Sequence, residues 1–247
     1  MGNLITTKEY EVHYYEVDCK KRALITSIMN YFDDVAIKQS EEGNVGLDYM
    51  AKNKIAWVLY KWNINIYKYP LHGEKIKVRT NPKWFRRFYA YRIFDIMNES
   101  GEILVEAASI WFLIDVEKRK PKKIGEDMRQ AFDISENDID IPEIPKISHI
   151  INKNVEKTFD VRYSDIDTNG HVNNVKYVSW AIETVPLEIV KNYLLRNINI
   201  TYEKETTYGE TIKVSTEVIE EENRIICKHI IVDKEGKRLT TAQTIWE

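Results

Sequence analysis

The sequence predicts an α+β protein in which one strand–helix–strand unit is built twice along a single chain. Three observations predict it. Short blocks recur in the same order in both halves, each half holds one amphipathic helical stretch, and the other apolar residues alternate as half-buried strands do.

The first recurrence matches Val12-His13-Tyr14-Tyr15-Glu16-Val17-Asp18 with Val161-Arg162-Tyr163-Ser164-Asp165-Ile166-Asp167, a strand expected to lead into a helix. The second is Asn63-Ile64-Asn65-Ile66 against Asn197-Ile198-Asn199-Ile200. It continues as His72-Gly73-Glu74 to Val78 against Tyr208-Gly209-Glu210 to Val214, strands meeting at a glycine turn. The third sets Gly101, Ala107, Ile110 and Trp111 against Gly236, Ala242, Ile245 and Trp246. Three blocks in register argue for duplication rather than chance.

Each half needs a helix to cover its strands. In the first, Ile28, Tyr31, Phe32, Val35 and Ala36 form one face between Ser27, the expected N-cap, and Gly43. In the second, Val172, Val175, Val178, Ile182 and Val185 do the same and stop before Pro186. Between the halves, Glu117 to Lys157 carries Pro121, Pro142 and Pro145 with little periodicity and reads as a linker, so domains are expected at 1–147 and 148–247.

Composition narrows the function. The 36 basic and 39 acidic residues leave a net charge of −3, which gives no reason to expect nucleic acid or an anionic membrane as partner. Cys19 and Cys227 lie far apart without metal-ligand spacing, so neither a disulfide framework nor a metal site is expected. A start rich in Lys8, Glu9 and Glu11 and apolar runs as short as Ile110 to Ile114 point to a cytoplasmic protein without membrane insertion. Met1 to Thr6 fits an N-myristoylation template too permissive to carry weight.

The densest polar cluster lies between Tyr163 and Asn174, with Asp167, Asn169 and His171 at alternate positions and Gly170 among them. A helix start follows, whose amides favour negative charge. Such groups suit acyl transfer to water: amide donors hold the oxyanion and a base activates the nucleophile. That base is sought in Tyr202-Glu203-Lys204-Glu205-Thr206, at the end of a strand. The plainer explanation is that Asp167 and Asn169 only cap the helix. Against it, the first half has Asp18, Lys20 and Arg22 at the matching positions, and no carboxylate between Asn65 and Gly73.

The run Asp167-x-Asn169-x-His171-Val172-Asn173-Asn174-x-x-Tyr177 resembles the signature of the acyl-acyl carrier protein (acyl-ACP) thioesterases, and the tandem repeat and the Tyr202 to Glu205 stretch are similar too. The resemblance covers nearly the whole chain. It implies two tandem hot-dog domains, each a central helix wrapped by an antiparallel sheet, and hydrolysis of acyl-ACP to free fatty acid without a cofactor. It assigns catalytic roles to Asp167, Asn169, His171 and Glu205. Plant members place a cysteine after the glutamate; Thr206 stands there, which removes a cysteine nucleophile and leaves a hydroxyl for Glu205, water or substrate. Water activated by Glu205, with Asn169 and helix amides on the thioester oxygen, and direct attack by Asp167 through an anhydride both stay open.

For the acyl chain, Met29, Phe32, Trp57, Leu59 and Trp111 are candidates to line a channel in the first half. An acidic carrier protein calls for a basic surface, sought at Lys83, Arg86 and Arg87 beside Trp84 and Phe85, and along Lys118 to Lys123. Acyl carrier protein is the expected partner, with a homodimer left open. The competing expectations are an acyl-coenzyme A thioesterase, a hot-dog dehydratase and a non-catalytic acyl-binding sensor.

Overall fold

The computed structural model describes residues 4–134 and 144–247. Met1, Gly2 and Asn3 of the N-terminal template, and Pro142 of the expected linker, fall outside the described residues. The described residues form two compact units, one from residues 4–60 and 67–134, the other from residues 61–66 and 144–247.

In the first unit the strands β1 (Thr6–Glu11), β2 (Ile55–Ile66), β3 (Lys75–Arg86), β4 (Tyr89–Asn98) and β5 (Ile103–Asp115) stand in the order β1-β3-β4-β5-β2, with the short β6 (Lys120–Pro121) on β5. Helix α1 (Ile25–Glu42) packs on β1 and β3, burying Ile28, Met29, Phe32 and Val35 completely. Each such side chain contributes roughly 1.5–3 kcal/mol, more than propensity alone gives a helix. The Phe32 ring lies 5.0 Å from Phe94. Ser27 is not the N-cap: the helix starts two residues earlier, and the Ser27 hydroxyl donates to the Glu16 carbonyl at 2.9 Å.

Helices α2 (Leu47–Asn53) and α3 (Glu126–Ala131) flank a second cluster of Val45, Ile55, Phe85, Leu113, Met128 and Phe132. The start of the expected linker is therefore core. Ile124, Met128 and Phe132 recur every four residues and are 1% exposed, Met128 within α3 and the other two at its ends, a pattern masked by the charges around it.

The second unit repeats the plan with β7 (Val155–Asp160), α4 (Asn174–Glu183), α5 (Leu187–Asn192), β8 (Leu195–Tyr202), β9 (Thr211–Glu221), β10 (Arg224–Asp233) and β11 (Arg238–Trp246). Its strands run β8-β11-β10-β9-β7, antiparallel throughout, and residues 61–65 add to the β8 edge. There the two repeated tetrads meet: Asn63 opposes Asn199, Ile64 Ile198 and Asn65 Asn197. The Asn197 carboxamide donates to Asn63 Oδ1 at 2.9 Å and Asn65 Oδ1 at 2.8 Å. Helix α4 buries Val175, Tyr177, Val178, Trp180 and Ala181 against β9, β10 and β11. Thr184 caps it, and Pro186 opens α5.

The N-cap of α4 is Asn173, whose Oδ1 accepts the Val175 N–H at 2.9 Å. Asn173→Ala is expected to cost about 1 kcal/mol, read as a lower urea midpoint at unchanged slope.

Candidate active site

Between β7 and α4 the chain makes a short 3-10 turn at Tyr163–Asp165. Asp165 anchors it. Its buried carboxylate accepts the Arg162 amide at 2.9 Å and the guanidinium at 3.0 and 3.2 Å, with Lys176 Nζ at 3.6 Å. Burial works to raise its pKa, but the bonds from Arg162 outweigh burial and hold the group below the usual carboxylate range.

The polar cluster then forms a tight loop. Asp167 N–H donates to the His171 carbonyl at 2.8 Å, and Gly170 N–H to the Asp167 carbonyl at 3.1 Å, with Gly170 at φ +79°. Asp167 Oδ1 accepts the amides of Asn169 at 2.8 Å and His171 at 3.4 Å; Oδ2 faces the Asn169 carboxamide at 3.5 Å. Asp167 thus clamps the loop, whereas Asn173 caps the helix.

The segment after β8 lies along this loop. Val172 N–H donates to the Thr206 carbonyl at 2.9 Å, and the Thr207 hydroxyl to the Gly170 carbonyl at 3.1 Å. Glu205 is thereby brought to the imidazole, with His171 Nε2 3.3 Å from Glu205 Oε1 and both side chains about two-fifths exposed (39% and 40%). All four residues expected to be catalytic share one rim.

The first unit builds the same loop. Asp18 N–H donates to the Arg22 carbonyl at 2.8 Å, Asp18 Oδ1 accepts the amides of Lys20 at 2.8 Å and Arg22 at 3.0 Å, and Ala23 N–H donates to the Pro70 carbonyl at 2.8 Å. Bond for bond, Asp18 matches Asp167, Lys20 Asn169, Arg22 His171, Tyr69 Glu205 and Pro70 Thr206. The aspartate is common scaffold. What differs is its outer oxygen, closed off in the first unit by Arg22 at 2.6 and 2.9 Å, and the partner across the loop, where Arg22 lies 5.1 Å over the Tyr69 ring.

Most amides at the start of α4 are already engaged: Val172 N–H goes to Thr206, Asn173 N–H to the Asp165 carbonyl, and the Val175 and Lys176 amides to Asn173. The loop also presents the exposed Asn169 carboxamide as a donor. Among the described residues no group of three or more His, Cys, Asp or Glu is placed to hold a metal ion.

The family model for the N-terminal domain of acyl-ACP thioesterases matches residues 3–132, and that for the C-terminal domain matches residues 148–247. The chain belongs to the acyl-ACP thioesterase family. A chloroplastic acyl-[acyl-carrier-protein] hydrolase of Cuphea viscosissima is 26% identical over 98% of this chain, which spans 62% of that relative's length. A Lactobacillus plantarum structure provisionally named an oleoyl thioesterase superposes with TM-score 0.94 at 24% identity, covering 99% of this chain and 96% of that one. The 12:0-ACP thioesterase of Umbellularia californica gives TM-score 0.87 at 22% identity, covering 98% and 94%. These structures speak for the fold, two tandem hot-dog domains.

Within this family member, Thr206 is buried at 8% exposure, its amide donating to the Tyr177 phenol oxygen at 3.2 Å. Met29 and Phe32 are sealed beneath α1. Trp57 and Trp111 instead pack, half-buried, on the α2–α3 cluster, with Trp57 5.9 Å from Phe85 and the Trp111 indole N–H on Ser109 Oγ at 2.7 Å. Leu59 is buried core. The two expected basic stretches meet in the first unit, where Ile124 N–H donates to the Arg87 carbonyl at 2.8 Å. Tyr177, inside the motif but given no role from sequence, is the residue that sequence reasoning missed. A tyrosine at a core position of the α4 face was its signal, since a buried hydroxyl needs a partner.

Proposed function

We propose that the protein hydrolyses acyl-ACP thioesters to free fatty acid and carrier thiol. The observation that carries this is the contrast between the two loops: one backbone, one aspartate, and only the second with His171 and Glu205 at 3.3 Å beside an exposed carboxamide. Glu205 takes a proton from water as the water oxygen bonds to the acyl carbon. The carbonyl electron pair moves onto oxygen, where the Asn169 N–H donates to it. The C–S bond then breaks and the thiolate leaves with the proton held by Glu205.

His171 orients the Glu205 carboxylate. Asp167 orients Asn169 through Oδ2 while Oδ1 holds the loop, and the amides on Oδ1 make it a poor nucleophile for an anhydride route. Thr206 is a proposed substrate contact; for the acyl chain the half-buried Trp57 and Trp111 are the proposed contacts, with the fully buried Met29 and Phe32 as the wall that an entering chain would have to open. Arg86, Arg87 and Lys118 to Lys123 form one largely exposed basic stretch suited to an acidic carrier. A cytoplasmic setting belongs to the same proposal, supported by two free cysteines, one of them exposed. No helix among the described residues is long and apolar enough to cross a membrane.

The test follows free thiol from a panel of acyl-ACP and acyl-coenzyme A esters. Cleavage of the ACP esters is expected. Preference for coenzyme A esters removes the carrier assignment, and acyl binding without cleavage replaces the enzyme with a sensor.

A further inference from the structure

The segment carrying Glu205 is pinned on both sides, and one pin has no counterpart in the first unit. The Thr206 carbonyl accepts Val172 N–H at 2.9 Å, as the Pro70 carbonyl accepts Ala23 N–H at 2.8 Å. The Thr206 amide, by contrast, donates to the phenol oxygen of Tyr177 at 3.2 Å. Counting from the matched pair Val172 and Ala23, the first-unit residue at Tyr177's place is Ile28, fully buried and without a hydroxyl. At Thr206's place stands Pro70, without an N–H. The unit that lacks His171 and Glu205 thus lacks both halves of this bond.

Tyr177 is well built for such a task. It sits in the first turn of α4, 3% exposed, with its ring edge-on to Trp180 at 5.5 Å and Tyr202 at 5.7 Å. The Tyr202 hydroxyl in turn donates to the Asn174 carbonyl at 3.0 Å, tying the end of β8 to the same turn. Burial first, and the nearby Asp167 charge as well, raise the phenol pKa beyond the ordinary tyrosine range, so it stays a neutral acceptor.

We infer that Tyr177 is a positioning residue for the thioesterase reaction: by accepting the Thr206 amide it fixes the residue after Glu205 and so holds the Glu205 carboxylate at His171. This rests on the function proposed above, in which Glu205 activates water. With its amide released, Thr206 keeps only its carbonyl bond to Val172, which gives the neighbouring carboxylate more freedom, and displacement of about an ångström costs on the order of 100-fold in rate.

The test uses Tyr177→Phe, which keeps the ring and removes the acceptor, and Thr206→Pro, which removes the donor as the first unit does. Tyr177→Phe is expected to lower kcat by about 10- to 100-fold with KM within about threefold, and to move the acidic limb of the pH–rate profile. Joining both substitutions is expected to lose no more than the worse single one, because both remove one bond. Independently of activity, exchange of the Thr206 amide should speed up about tenfold or more in Tyr177→Phe, while Val172 exchange is unchanged. A folded Tyr177→Phe enzyme within twofold of the parent, or losses that multiply in the double variant, overturns the inference. If the parent cleaves no thioester, the proposed function fails, and the Thr206 exchange rate still decides whether the bond exists: an unchanged rate rejects it.

Discussion

Glu205→Gln is expected to lower kcat on the proposed acyl-ACP substrate by about 10²- to 10⁴-fold while leaving the unfolding midpoint where it was. Both halves of that expectation come from the same position. Glu205 lies on an exposed segment after β8 and its 40% exposed side chain meets His171 at 3.3 Å. A polar contact that open to water contributes about 0–1 kcal/mol, so its loss hardly registers in stability. The amide keeps the shape of the carboxylate but cannot take a proton from water. Asp167→Asn is the companion, since its Oδ1 can still accept the Asn169 and His171 amides that define the loop. Loss of turnover in Glu205→Gln with partial activity in Asp167→Asn supports water activation by Glu205. The reverse order shifts the chemistry to Asp167.

Duplication, helix faces and the reactive loop were legible in the sequence because each leaves a periodic or repeated trace. Gly73, Gly101, Gly209 and Gly236, picked out as repeat markers, all take φ between +79° and +85°. Asn63 to Ile66 and Asn197 to Ile200, matched by letter, pair with each other. Other features were hidden for physical reasons. Ser27 looked like a cap because serine favours that position, yet its hydroxyl serves a carbonyl eleven residues earlier, a contact no local pattern reports. The segment from Glu117 to Ile134 reads as linker because its charged residues and Pro121 outnumber the buried anchors Ile124, Met128, Phe132 and Ile134. Asp167 was weighed as helix cap or catalyst; the match with Asp18 makes it the clamp of a loop found in both units. The bond between Tyr177 and Thr206 joins residues far apart in sequence and involves a backbone amide. It could not be read from residue types alone.

Stability is expected to fall steeply on mild acidification, and His229 is the group responsible. It lies on β10, 1% exposed, behind α4 and away from the reactive loop. In the first unit Phe94 holds this position: Phe94 opposes Thr80 and Ala107 as His229 opposes Thr216 and Ala242. The imidazole meets hydroxyls: Thr216 Oγ1 is 2.8 Å from Nδ1 and Thr244 Oγ1 3.1 Å from Nε2, with Thr184 Oγ1 at 3.5 Å. Trp246 N–H also donates to Thr244 Oγ1 at 2.9 Å. Among the described residues no carboxylate bonds the ring to favour the imidazolium, and burial pushes its pKa down to about 3. In the unfolded chain the same group titrates near about 6.5. Between these values the unfolded state binds a proton that the folded state refuses, so stability drops as pH falls from about 6.5 toward 3, by up to about 1.4 kcal/mol per pH unit. Lowering the pH from about 6.5 to 4.5 should therefore cost about 2–3 kcal/mol, a large share of a typical 5–15 kcal/mol total. Carboxylates held low in the fold, such as Asp165 and Asp18, add their losses at lower pH, where unfolded carboxylates titrate. His229→Gln separates the two: it can still hydrogen-bond the threonines but binds no proton. Urea midpoints at pH 7 and 4.5 should converge in that variant and diverge in the parent; an equal drop in both would assign the acid sensitivity to the carboxylates and not to the buried imidazole.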